Sequence, residues 1–114
     1  MKIYHNPRCR KSRETLQIIR KKNIEPEIIC YLDTPPDAST LQELVKKIGI
    51  NPSQLVRKNE KVYKELFKGK VISEEEWIDI MVQYPKLIER PIVVSGEKAI
   101  LGRPPENVLS LLSK

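Results

Sequence analysis

Lys2-Ile3-Tyr4-His5-Asn6-Pro7-Arg8-Cys9-Arg10-Lys11-Ser12-Arg13, followed at some distance by Pro26-Glu27-Ile28-Ile29-Cys30-Tyr31-Leu32, decides the fold. Lys2–His5 predicts a short strand, and Asn6-Pro7 breaks it. A helix then starts near Cys9 or Arg10, because Thr15, Leu16, Ile18 and Ile19 recur at helical spacing. Arg20-Lys21-Lys22 closes it with three cations, where the helix dipole favours positive charge. Glu27–Leu32 predicts a second strand. Strand, helix and strand within about 30 residues make a βαβ unit with parallel strands and a right-handed crossover.

The rest of the chain extends this unit. Thr34-Pro35-Pro36-Asp37 is a stop. Leu41, Leu44, Val45 and Ile48 mark a helix capped by Asp37 or Ser39 and ended by Gly49. Asn51-Pro52 opens a short helix to about Val56, and another runs near Val62–Phe67. Ser73-Glu74-Glu75-Glu76 is a capping box before Trp77, Ile80, Met81 and Tyr84, and Pro85 ends that helix. Pro91–Val94 and Ala99–Leu101 flank Ser95-Gly96-Glu97-Lys98, which predicts a hairpin with a four-residue turn. Pro104 opens a last helix in which Val108, Leu109, Leu111 and Leu112 are apolar. The order βαβ, helical insert at about 38–88, then ββα predicts an α/β, thioredoxin-like fold in a single domain over residues 1–114. In that plan Pro91 starts the third strand and is expected to be cis.

Length and composition agree with one soluble domain: 114 residues, 39% hydrophobic and 32% charged. No apolar run approaches the roughly 18 residues of a membrane-spanning helix. Met1–Asn6 lacks a signal-peptide core, and two cysteines cannot make a disulfide framework, so a cytoplasmic location is expected. Two cysteines and one histidine do not make a Cys/His zinc site, and no metal is expected. The net charge of +6 is local: residues 1–22 carry +7 and residues 57–70 carry +4, in a roughly neutral background. A nucleic-acid binder spreads Lys and Arg along a face with aromatics or groove-reading helices. Here the first block surrounds one cysteine, which points to a small anion and away from nucleic acid.

Cys9 follows a strand and opens a helix, where unsatisfied backbone N–H groups and the helix dipole stabilise a thiolate. The same helix end can bind an oxyanion. Ser at position 12 excludes C-x-x-C redox chemistry, and Thr at position 15 excludes the C-x5-R phosphatase loop. What remains is one nucleophilic cysteine in a basic pocket, with any second thiol supplied from elsewhere. Cys30, in the apolar second strand, is expected to be an inert core residue, with a resolving role as the lesser alternative. His5 either supports the loop or favours the thiolate, and Ser12 either donates to the thiolate or caps the helix start. Arg57, Arg90 and Arg103 each stand at the edge of a structured stretch, and a guanidinium fork suits a tetrahedral oxyanion.

These segments resemble a known family. Tyr4-His5-Asn6-Pro7-x-Cys9-x-x-Ser12-Arg13, Tyr31-Leu32-x-Thr34-Pro35-Pro36, Leu55-Val56-Arg57-Lys58-Asn59, Glu89-Arg90-Pro91-Ile92-Val93-Val94 and Gly102-Arg103-Pro104-Pro105-Glu106 resemble the glutaredoxin-coupled arsenate reductases, the ArsC family. Arg8, Arg10 and Lys11 flank the cysteine where dedicated arsenate reductases carry small residues, which looks like a shorter sister branch. The resemblance implies arsenate, or a similar oxyanion, as substrate and Cys9 as its nucleophile. It implies Arg57, Arg90 and Arg103 as oxyanion ligands. His5 would help to ionise the thiol, and Ser12 would hydrogen-bond it. Glutathione would be cosubstrate and glutaredoxin the resolving partner, with no tightly bound cofactor, and a monomer is expected. Two other functions fit the same fold: a glutathione-dependent thiol-disulfide oxidoreductase, and a regulator resembling the Spx transcription factors. Ser12 removes the C-x-x-C switch that the latter carry.

Overall fold

A computed structural model describes residues 1–112. In chain order the elements are β1 (Lys2–His5), α1 (Arg10–Lys21), β2 (Glu27–Cys30), α2 (Ala38–Ile48), α3 (Lys61–Leu66), α4 (Glu74–Gln83), β3 (Ile92–Ser95), β4 (Lys98–Leu101) and α5 (Leu109–Leu112). Single 3-10 turns stand at Pro52–Leu55, Pro85–Leu87 and Pro105–Val108. The chain forms two compact units, Met1–Thr34 with Arg90–Lys114, and Pro35–Glu89.

The first unit carries the sheet, in the order β2-β1-β3-β4. β1 runs parallel to β2, with His5 opposite Cys30, and antiparallel to β3, with Ile3 opposite Val93. This is the thioredoxin-like arrangement, with β1 in the interior of the sheet. Ile3, Leu16, Ile19, Val93 and Val108 form its buried core. The 3.6-residue spacing of α1 puts Thr15, Leu16 and Ile19 on that core, and its basic residues face outward. Asn23, at φ 62°, turns the chain out of the helix in the left-handed region that Asn tolerates.

The second unit is helical. Asp37 caps α2 by accepting from the Thr40 N–H at 2.8 Å, and Gly49 ends it at φ 82°. Ser73 and Glu76 close the capping box of α4 in both directions. Leu41, Leu44, Val45, Leu55, Trp77 and Met81 are buried in this unit. Trp77 stacks on Tyr63 and meets the edge of Phe67. Among the described residues no helix is long and apolar enough to cross a membrane.

The Arg90–Pro91 bond is cis, and so is Arg103–Pro104, which the sequence reading did not anticipate. Four other expectations need correction. β2 stops at Cys30 because the N–H groups of Asp33 and Thr34 both turn back to the Cys30 carbonyl. The hairpin turn has two residues, not four: Ser95 pairs with Lys98, and Gly96 at φ 61° leads a tight turn of the type that needs Gly first. The segment after Pro104 begins as a 3-10 turn and becomes α-helical only at Leu109. Cys30 is half-buried rather than a core residue, because β2 is an edge strand with a neighbour on one side only.

Candidate active site

β1 ends at His5, and Asn6 makes the turn that follows. Its side-chain carbonyl accepts from the Arg8 N–H at 3.0 Å, and its backbone carbonyl accepts from the Cys9 N–H at 3.0 Å. Arg13 reaches back to the Pro7 carbonyl at 2.9 Å and fastens the loop to α1. The result is Cys9 in extended conformation (φ −93°, ψ 122°) at the N-cap of α1. A Ser or Asp at this position would aim its oxygen at the backbone N–H groups two and three residues on. Cys9 holds the same backbone position, although its sulfur makes no capping hydrogen bond to these N–H groups. The first helical hydrogen bond runs from the Arg13 N–H to the Cys9 carbonyl, so the N–H groups of Arg10, Lys11 and Ser12 have no acceptor within the helix.

His5 and Ser12 meet directly. Nδ1 of His5 lies 2.6 Å from Ser12 Oγ, and the Asn6 N–H donates to the same oxygen at 3.1 Å. Both residues are buried. Burial lowers the His5 pKa from its usual value, and the positive charges of Arg20 and Arg13 lower it further. His5 is therefore neutral at neutral pH. The Ser12 side chain is turned to His5 and Asn6, while its backbone N–H belongs to the donor set around the N-cap.

Arg90 and Arg103 are brought together in the same unit as Cys9. One Arg103 N–H donates to the Arg90 carbonyl at 3.3 Å, and the Gly102 N–H donates to the Pro91 carbonyl at 2.9 Å. Gly102 explains how the strand ends come so close to α1. A Cβ there would lie 2.7 Å from Thr15 Oγ1 and 2.8 Å from Pro91 Cγ, closer than any side chain allows. Thr15 is fully buried and satisfies its hydroxyl on the Lys11 carbonyl at 2.8 Å.

Arg57 stands in the other unit, at one end of an isolated antiparallel bridge between Val56 and Ile88. Its N–H donates to the Leu87 carbonyl at 2.7 Å, and the Glu89 N–H donates to the Leu55 carbonyl at 2.8 Å. This frame sets the two side chains against each other. Arg57 Nε donates to Glu89 at 2.9 Å, and its Nη1 donates to Glu60 at 2.8 Å. The sequence marks Asn6, Thr15, Glu89 and Gly102 as a strand break, a helix-face residue and motif members, without a role at the site, and does not mark Glu60.

Cys30 lines a cleft of about 310 Å3 together with His5, Asn6 and Arg8, on the β2 side of the cysteine loop.

The sequence model of the ArsC family matches residues 4–111. The chain is 53% identical to the Escherichia coli K12 protein YfgD, an alignment covering 98% of this chain and 96% of that one. It is 46% identical to an Escherichia coli arsenate reductase, over 96% of this chain and 79% of the relative. Among solved structures, an arsenate reductase from Vibrio cholerae superposes with a TM-score of 0.91 at 45% identity, covering 96% of this chain and 97% of that one.

Proposed function

The chain belongs to the ArsC family, and from that premise we propose that it reduces arsenate to arsenite with Cys9 as the nucleophile. The observation that carries this reading is Cys9 at the N-cap of α1, where the first-turn N–H groups have no helical acceptor and Arg8, Arg10 and Lys11 flank it in sequence. Relatives at 44–46% identity over nearly the whole chain are arsenate reductases, which supports the choice of oxyanion.

The Cys9 thiolate attacks arsenic; an S–As bond forms and an As–O bond breaks, with the oxygen leaving as water after protonation. The electrons come from external thiols, because Ser12 leaves no partner cysteine in the motif. Glutathione attacks the adduct, and glutaredoxin takes the resulting mixed disulfide. The net change is arsenic acid and two thiols giving arsenious acid, one disulfide and water, a two-electron reduction that balances.

Arg57, Arg90 and Arg103 are the oxyanion ligands of this proposal, and each guanidinium offers a planar fork to a tetrahedral anion. Ser12 supports the thiolate through its backbone N–H, the donor an N-cap side chain normally meets. Its hydroxyl hydrogen-bonds Nδ1 of His5 at 2.6 Å, which holds the turn between β1 and α1 in place. His5 is thus a positioning residue for Cys9.

The test is NADPH oxidation coupled through glutathione reductase, with glutathione and glutaredoxin present, with and without arsenate. Wild type should consume NADPH in proportion to arsenate, and Cys9→Ser should lose at least about a hundredfold. An arsenate response equal in the two proteins would remove Cys9 from the chemistry.

A further inference from the structure

Arg57 already holds two anions. We propose that Glu60 and Glu89 are resident counter-ligands of Arg57 that an incoming oxyanion must displace, so that they set how tightly, and which, oxyanions bind. This inference rests on the reading of Arg57 as an oxyanion ligand.

The geometry is specific. A guanidinium binds a tetrahedral oxyanion best through two parallel N–H groups on one edge, either Nε with one terminal nitrogen or the two terminal nitrogens. Glu89 takes the Nε donor at 2.9 Å, and Glu60 takes Nη1 at 2.8 Å. Each two-nitrogen edge of Arg57 therefore has one of its nitrogens engaged by a carboxylate. The side chains are only partly exposed, 18% for Arg57, 28% for Glu60 and 24% for Glu89, so water screens them incompletely.

The backbone holds this arrangement in place. The paired hydrogen bonds Arg57 N–H to Leu87 and Glu89 N–H to Leu55 flank the Val56–Ile88 bridge and keep Arg57 and Glu89 side by side. Glu60 follows on the same chain turn, its N–H directed to the Arg57 carbonyl at 3.4 Å. Ser53, just before this frame, is itself tied to Glu74 of α4 through both its N–H and its hydroxyl. Here one cation carries two carboxylates.

The consequence is competition between carboxylate and oxyanion for the same donors. Oxyanions that are stronger bases, and so better hydrogen-bond acceptors, displace a carboxylate more readily than weakly basic ones of the same shape. Arsenate and phosphate, both more basic than sulfate, should therefore be favoured over it in binding.

Glu60→Gln and Glu89→Gln test this. Gln keeps an acceptor oxygen of the same reach and removes the charge, so the frame around Arg57 is kept. Binding of inorganic arsenate, phosphate and sulfate to the full chain is followed by thermal shift or calorimetry, and arsenate turnover is measured in parallel. Each single variant should bind arsenate about three- to tenfold more tightly than wild type, the size expected for removing one unit charge near the anion. The preference for arsenate over sulfate should shrink in both variants. A structural role alone would leave affinity unchanged or weaken it together with thermal stability. Unchanged or weaker binding in both variants overturns the proposal, even when wild type turns over arsenate normally. No binding in any of the proteins overturns it as well. Tighter binding in the variants with no arsenate turnover in wild type keeps the counter-ligand role and sinks the reductase reading instead.

Discussion

Cys9 illustrates how much one position can decide. It occupies the N-cap, the backbone position that a Ser, Thr or Asp usually takes, next to first-turn N–H groups that have no helical acceptor. That was legible from a strand, a break and a cysteine before an amphipathic helix. The support beneath it was only half legible. His5 and Ser12 are both visible as polar residues near the cysteine, but their 2.6 Å contact depends on a helix turn placing Ser12 over the end of β1. Their burial makes a pH prediction. The His5 pKa is lowered in the folded chain, so at pH above the unfolded value of about 6.5 histidine is neutral in both states and its contribution is full. As pH falls below that value the unfolded state takes up the proton first, and stability declines. His5→Asn should flatten the fall in melting temperature between about pH 7 and pH 5 relative to wild type. Parallel curves for the two proteins would show that His5 does not cause the decline.

At the level of elements, helix boundaries were the most legible part. Asp37, Gly49, Ser73 and Pro85 each act through a local rule, and each stands where the rule puts it. The hairpin was misjudged because Ser95 and Lys98 read as turn residues, whereas cross-strand pairing extends both strands over them. The strand β2 was read too long because Tyr31 and Leu32 look apolar, but the Cys30 carbonyl captures two later N–H groups and ends it. Gly102 shows what no local rule reveals: a glycine required by contact with Thr15 and Pro91, residues far away in sequence. Gly102→Ala should therefore destabilise the chain by about 1–3 kcal/mol in urea unfolding, as overpacking does. Thr15→Ala in the same chain should restore part of that loss, because it removes the nearest atom; no recovery in the double variant would show that Thr15 is not the obstacle.

For the molecule as a whole, the +6 charge is best understood by where it collects. The block around Cys9 is carried by α1 and the loop before it, in the unit that also holds Arg90 and Arg103. The second block contains Arg57, which the structure shows held by Glu60 and Glu89. Sequence spacing could suggest the arginine but not its pairing with Glu89, since the two are 32 residues apart and meet only through a two-strand bridge. The two cysteines also separate by position. Cys9 sits at a helix N-terminus, and Cys30 sits on a sheet edge beside a cleft. The central claim is that arsenate is reduced at Cys9 alone, with electrons from outside the chain. The most direct check is the arsenite released from arsenate, quantified chemically in the presence of glutathione and glutaredoxin, for wild type, Cys9→Ser and Cys30→Ser. Wild type and Cys30→Ser should release arsenite at similar rates and Cys9→Ser should release none above the protein-free background; arsenite from Cys9→Ser at the wild-type rate would contradict the assignment.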